Sequence, residues 1–351
     1  MKRYVAFIPS LIVAIIVLVI ANGCDQGDIN NPFDSNDPTS KALFKITENS
    51  PSVNSFTPNY NEEEAMAFSG MANKDLYPIR IGQHLTLTSQ DLTLVKDSVT
   101  ATGTLVQQFD GELIIAGSFQ QPTIGINQPV DTVIHKPFST TITRVIKYEK
   151  VSDTGNDTLD WKIVAISLPN GGTDGDYILI QKLTLTAQDG SIVEINNPNE
   201  FFFNVGKDKG EVRDDDDDEY EDDDDEDDDH GRFGFSAGFG WHGWNKLFTW
   251  YKRNQKVTLT LEVLSRSSDP DLLTITYGAM MSGGQKSKYR FNLTSNVQEG
   301  DYYRKTYERD WKIPSYGGRM HAVINALPRF SAYDTDSTVV EKTWGIPFKV
   351  K

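Results

Sequence analysis

The sequence predicts a mainly β protein built as two β-rich domains, an N-terminal antiparallel domain with one short helix and a C-terminal β-sandwich, joined by an acidic linker. Three observations carry that expectation. Apolar and polar residues alternate with period two over many runs, as in Lys256-Val257-Thr258-Leu259-Thr260-Leu261-Glu262-Val263, the pattern of strands with one buried face. Turn residues break the runs at Asp110-Gly111, Asn170-Gly171-Gly172 and Asp189-Gly190, as hairpin-linked sheets need. A single acidic block, residues 214 to 229, separates two series of such runs.

The chain begins with a basic Met1-Lys2-Arg3, and Tyr4 to Ile20 is almost wholly apolar. Ala21-Asn22-Gly23 then sets small or polar residues before Cys24, the one cysteine among the 351 residues. This segment resembles a bacterial lipoprotein signal with its lipobox, although that family usually carries Leu where Ala21 stands and a small residue where Asn22 stands. The resemblance implies that residues 1–23 are a removed signal peptide and that Cys24 is the lipidation site. It also implies a stable membrane anchor, with the mature protein in the cell envelope, facing periplasm or exterior. A transmembrane anchor is the alternative reading, since ~18 apolar residues just span a bilayer, but no basic stop-transfer flank follows Cys24. Lipid attachment also accounts for a lone thiol on an exported chain, and no disulfide is expected.

Residues 24–40 complete a flexible tether, because Asp25 to Ser40 is rich in Asp, Asn, Pro and Ser. Residues 41–210 form the first β-rich domain. Asn61-Glu62-Glu63-Glu64 before Ala65, Met66 and Phe68 supplies a cap and first-turn acids, so one short helix is expected to about Ala72, the only convincing helix in the chain. Strands are expected at His84 to Thr88, Asp91 to Lys96, Thr100 to Phe109, Glu112 to Ser118, Thr140 to Val151, Trp161 to Leu168, Tyr177 to Ala187 and Phe201 to Val205. The order of helix and long strands ending in Trp161-Lys162-Ile163-Val164 also resembles cone-shaped NTF2-like domains, a family that usually carries more helix before its sheet.

Residues 211–230 are the acidic linker and residues 231–351 the second domain. Its strands are expected at Lys256 to Ser265, Leu272 to Ala279, Lys288 to Thr294, Tyr302 to Lys312, Arg319 to Ala326 and Thr343 to Val350. In spacing and alternation this region resembles an immunoglobulin-like β-sandwich of the bacterial surface kind, lacking the Cys pair of the antibody type.

Composition sets limits on function. The chain is 38% hydrophobic and 11% aromatic, enough to fill real cores. Its formal charge of -16 is local, because the 15 acids of residues 214 to 229 taken from the chain's 50 leave 35 against 34 Lys and Arg. Without a basic stripe to release counterions from phosphates, nucleic acid is not an expected partner.

The acidic side chains are Asp214, Asp215, Asp216, Asp217, Asp218, Glu219, Glu221, Asp222, Asp223, Asp224, Asp225, Glu226, Asp227, Asp228 and Asp229. They sit ~3.5 to 7 Å apart along the chain, inside the ~8 Å screening length, so they repel and extend the segment. One reading is a solvated spacer. The other is a low-affinity, high-capacity site for Ca2+ or mineral, since Ca2+ takes six to eight hard oxygens in flexible geometry. An EF-hand loop is not formed, because His230 stands where Gly is needed and Ser236 where the bidentate Glu is needed.

Directly after the block, Phe233, Phe235, Phe239 and Trp241 alternate with Gly234, Ser236, Gly238 and Gly240, and Trp244 follows. Period two gives one aromatic face and one nearly bare backbone face. That face is either a first strand capping the sandwich or a platform for a sugar or surface polymer. An edge pairing with other envelope chains is the third reading, with the acids as charge gatekeepers.

Several motif matches fail in context. Gly234-Phe235-Ser236-Ala237-Gly238 spells a hydrolase nucleophile elbow, and Asp269, Asp271, Asp301 or Asp310 before His321 keeps the triad order. A polyanion precedes it and no helical pattern follows, so a serine hydrolase through Ser236 is a remote alternative. Gly238-Phe239-Gly240-Trp241-His242-Gly243 spells a dinucleotide fingerprint without a strand-helix-strand unit around it. His84, His135, His230, His242 and His321 lack zinc-site spacing. Asp174-Gly175-Asp176, Asp269-Pro270-Asp271 and Asp334-Thr335-Asp336 read as turn chemistry first and calcium candidates second.

The expected function is therefore a lipid-anchored binding or structural protein of the cell envelope, without catalysis, acting in adhesion or assembly. A calcium-binding surface protein working through the acidic run is the alternative.

Overall fold

A computed structural model describes residues 37–54, 56, 58, 77–120, 130–205, 251–279, 287–315 and 317–350. Three long strands, β1 (Tyr77–Lys96), β2 (Thr100–Ser118) and β3 (Thr132–Lys150), pair antiparallel in sequence order. Their residues explain it. In β3, Thr140, Ile142, Arg144, Ile146 and Tyr148 turn inward while Thr141, Thr143, Val145 and Lys147 stay half-exposed. β1 unites the strands expected at His84 to Thr88 and Asp91 to Lys96, with a register shift between Leu87 and Ser89.

Asp110-Gly111 is likewise no turn. Asp110 pairs with Thr86 and Ser139, and Gly111 with Leu85 and Phe138, in mid-strand. The glycine is there for closeness, because a Cβ on Gly111 would sit 2.0 Å from the His84 carbonyl oxygen.

Helix enters where the sequence reading placed a flexible tether. α1 (Pro38–Glu48) starts within it, capped by Asp37, whose carboxylate accepts from the Ser40 amide at 2.7 Å, with proline in the first turn. Composition pointed to a spacer, but Ala42 and Leu43 form an apolar face that the strands bury. A one-turn helix α2 (Pro51–Asn54) follows and buries Val53. Leu43 and Val53 pack on Leu92, Leu105, Ile146, Tyr148 and Trp161. The expected helix over residues 61–72 lies outside the described residues.

After β3, a helical turn α3 (Asp157–Asp160) leads into β4 (Trp161–Ser167), which pairs with the end of β3 and with the short β8 (Phe202–Asn204). Asn170-Gly171-Gly172, expected to be a turn, is instead the strand β5 (Asn170–Gly172). One edge of β5 pairs with β3 and the other with β15 (Lys342–Val350). From β15 the sheet continues through β14 (Gly318–Leu327), β10 (Leu272–Ala279) and β11 (Ser287–Arg290).

A second sheet runs β12 (Asn292–Glu299), β13 (Tyr302–Lys312), β9 (Lys256–Ser265), β6 (Ile178–Ala187), β7 (Ile192–Ile195), all antiparallel. Phe291 divides the strand expected over 288–294 into β11 and β12. Strands from both sides of residues 211–230 thus share both sheets. The sequence reading treated neighbours in sequence as partners, whereas β6 finds β9 and β5 finds β15.

The sandwich core lies between the second sheet and β10, β14 and β15. Val257, Leu259, Leu261 and Val263 face Leu273, Ile275, Ile324, Trp344 and Phe348. The β9 alternation is as expected, and Asp189-Gly190 is the β6–β7 turn, with Gly190 at φ +83. At the centre Trp311 meets Phe348 edge-on, ring centroids 5.0 Å apart.

The opposite face of β10, β14 and β15 is also covered, because the large sheet rolls until β11 reaches β1. Lys288 on β11 donates to the Ile81 carbonyl on β1 at 2.9 Å. Ile81, Leu113 and Ile115 pack on Leu272 and Leu327, and Leu85, Phe109 and Ile142 pack on Val323. The helical turn α4 (Arg329–Tyr333) closes one end, where Lys136 from β3 donates to the Ser331 and Asp334 carbonyls.

A buried ion pair ties β13 to the β9–β10 connection. Lys305 and Asp271 meet at 2.8 Å with both side chains fully covered, and Asp271 also accepts from Ser265. Burial pushes the Asp271 carboxyl up, and Lys305 opposes the rise. Removing one partner strands the other charge, so Lys305→Met is expected to cost about 3–5 kcal/mol in denaturant unfolding. The double variant Lys305→Met/Asp271→Leu should recover most of that loss; no recovery would show that the two side chains act separately.

Candidate functional site

Cys24, the fifteen acids of 214–229, Phe233, Phe235, Phe239, Trp241, Trp244, Ser236, His230 and His242 all lie outside the described residues. The described histidines are dispersed: His84 is exposed on β1, His135 pairs with Glu112 at 2.8 Å, and His321 on β14 packs tilted against the Phe56 ring. Among the described residues, no three His, Cys, Asp or Glu side chains converge as a metal site would require, and no helix is long and apolar enough to cross a membrane.

The three Asp-containing loops do structural work. Asp176 binds Arg266 at 2.7 Å and the Tyr302 hydroxyl at 2.8 Å. Asp271 is spent on Lys305, and Asp334 accepts from the Asp336 amide as an Asx turn.

Two features remain. The first is a cleft of about 630 Å³ on the outer side of the β3–β5–β15 seam. Thr141 and Thr143 reach it from the half-exposed face of β3, Asn170 from β5, Gln181 from β6, and Asn196 and Asn197 from the loop after β7. The floor is nearly bare backbone, because Gly171 and Gly172 cannot carry side chains: added Cβ atoms would lie 2.2 Å from the Thr141 carbonyl and 2.3 Å from that of Glu341. Gly172 also has φ +142, which disfavours any other residue. Asn199 holds one rim by donating to the Thr143 carbonyl at 2.8 Å. Charge is balanced, with Asp174 and Lys342, and the Lys342 ammonium is bound to the Thr173 carbonyl at 2.7 Å. Neutral amides and hydroxyls over a glycine floor suit a polar, uncharged ligand in a volume typical of small-molecule sites.

The second feature is a polar belt inside the roll, beneath that floor. Cross-strand partners set it out: Lys288 opposite Thr276, then Thr274, Asn325 and Thr343 in one row across β10, β14 and β15. Glu341 joins through Asn325, whose Nδ2 reaches Oε2 at 3.3 Å and Thr343 Oγ1 at 3.0 Å. Gln83 on β1 faces the same interior between Ile81 and Leu85 and donates from Nε2 to the Pro58 carbonyl. Asn325, Glu341 and Thr343 are wholly buried, Thr274 is 1% exposed and Lys288 4%. Six oxygens here have no hydrogen-bond partner among the described residues: Thr140 Oγ1, which stands against the Glu341 carboxyl, and five others, Gln83 Oε1, Thr274 Oγ1, Thr276 Oγ1, Asn325 Oδ1 and Glu341 Oε1. At about 1–3 kcal/mol each, such atoms together would rival the roughly 5–15 kcal/mol that keeps a domain folded.

Burial pushes the Glu341 carboxyl up to about 7, opposed by the polar groups of Thr140, Asn325 and Thr343 and by Lys288. Burial likewise pulls the Lys288 ammonium down to about 7, opposed by Glu341. Sequence reasoning reached neither feature. The signal for the belt was Asn325 inside the otherwise apolar Ala322-Val323-Ile324-Asn325-Ala326-Leu327, a run that belongs to a strand covered on both faces.

These shifts set a pH profile. Between about 4.5 and 7 the folded chain keeps a Glu341 proton that the unfolded chain has lost, so stability falls as pH rises through that window. Between about 7 and 10.5 the unfolded chain holds a Lys288 proton that the folded one lacks, so stability rises with pH. The melting temperature is expected to pass through a minimum near neutrality. Glu341→Gln should remove the fall on the acid side and Lys288→Met the rise on the alkaline side. A profile without a dip, or one unaltered by both variants, contradicts this.

No family model matches the chain, and no curated protein matches it.

Proposed function

We propose that the chain is a cell-envelope lipoprotein, anchored through Cys24, whose β fold is a non-catalytic binding module for a neutral, hydroxyl-rich polymer. The cleft carries this reading: its amide and hydroxyl lining offers donors and acceptors without net charge, the chemistry that recognises sugars. The N-terminal sequence supports the anchor, through its basic start, its apolar stretch and the placing of Cys24. We read the sandwich as immunoglobulin-like, completed by β6 and β7 from before the acidic run. The anchor would hold this module at the membrane, facing periplasm or exterior.

Two measurements test it in one series. Cys24→Ser is expected to move the protein from the detergent phase to the soluble fraction on phase separation. In the soluble protein, Gln181→Ala/Asn196→Ala is expected to weaken binding of envelope polysaccharide fragments at least tenfold in calorimetry, with the melting temperature unchanged. Retention of Cys24→Ser in the detergent phase would refute the anchor. Unchanged affinity in the double variant would refute the cleft.

The charge density of residues 214 to 229 favours a second reading, in which the run gathers Ca2+ and makes surface attachment calcium dependent. Calorimetric Ca2+ titration of the soluble form starting at Gln26 should then give saturable heat and a raised melting temperature, both lost when residues 214 to 229 are deleted. Weak heat that vanishes with added salt would reduce the run to a solvated spacer.

A further inference from the structure

We propose that the polar belt inside the rolled sheet is a binding site for an enclosed, hydroxyl-bearing occupant, either ordered water or a small polyol. The orphaned atoms define its chemistry. The Gln83 and Asn325 amide nitrogens already donate, to Pro58 and to Thr343 and Glu341, so the two amide oxygens are fixed as acceptors. These two require donors, Glu341 Oε1 has the Thr140 hydroxyl beside it, and the Thr274 and Thr276 hydroxyls can give or take. A hydroxyl does both.

A metal ion does not fit. Thr274 and Thr276 stand two residues apart on β10, about 6.7 Å along a strand. One hard cation holds its oxygens at about 2.3–2.6 Å and so spans no more than about 5 Å. Glu341 is the one carboxyl in the belt, too little negative charge to hold a hard cation, and Lys288 stands on the same wall. An anion is excluded by the orphaned acceptors. Apolar layers close the belt on both sides, Leu272 with Leu327 and Leu85 with Val323, so an occupant is trapped as the roll forms.

The test is a high-resolution crystal structure of the full mature protein, grown and cooled without polyols, together with mass spectrometry of small molecules released on denaturation. Non-protein density about 2.7–3.2 Å from Gln83 Oε1, Asn325 Oδ1 and both threonine hydroxyls is the expected result. Separate peaks with nothing released identify water, and continuous density with a released polyol identifies the polyol. Absence of non-protein density, with these oxygens paired to protein atoms, overturns the proposal. Thr274→Val and Thr276→Val give an independent check. Each should lower the melting temperature if its hydroxyl holds an occupant, and an unchanged or raised value speaks against one.

Discussion

Three residues, Asn170, Gly171 and Gly172, hold the two parts of the large sheet together. β5 is paired with β3 on one edge and with β15 on the other, and without it the sheet would divide between those strands. At its second and third positions only glycine can stand, since the Thr141 carbonyl approaches Gly171 and the Glu341 carbonyl approaches Gly172. The continuity of the sheet lets it roll, and the roll encloses the polar belt on one face while the other face receives the sandwich layer. Cleft and belt are therefore two sides of one thin wall, with Lys342 and Trp344 facing one and Thr343 the other.

Local periodicity carried much of the strand content. The β9 and β13 runs appear with the bounds that their alternation implies, because a period-two pattern reports directly on a half-buried strand, and β10 has its expected bounds although both its faces are covered. Turn chemistry was the weaker guide. Asp110-Gly111 and Asn170-Gly171-Gly172 have the composition of turns, yet both serve close backbone approach, a second use of glycine that one sequence does not separate from the first. The tether reading gave way for a similar reason: Asp37 and Pro38 look like spacer residues, and they are equally a helix cap and a first turn.

Partner choice between strands was not legible at all. Hairpin logic assigns each strand to its neighbour in sequence, while β6 joins β9 across residues 188–255 and β5 joins β15 across residues 173–341. The site suffered the same fate. Gln181, Asn196 and Lys342 meet only because of these long-range pairings, and nothing in their local sequence marks them. The residues that sequence chemistry did single out, Cys24, the acids and the Gly/aromatic stretch, depend on composition and need no fold to be noticed.

The link between Thr173 and Glu341, where the Thr173 amide and hydroxyl bond the Glu341 backbone across 168 residues, also governs how the molecule is made. Closing so long a loop is entropically slow, and it precedes the pairing of β5 with β15. Residues 132–172 wait for residues 342–350 before their sheet is continuous, with Thr140 and Ile142 uncovered in the meantime. Folding is therefore a late event in the life of the chain, and the interval before it is the period in which aggregation, proteolysis or a chaperone acts on exposed strands.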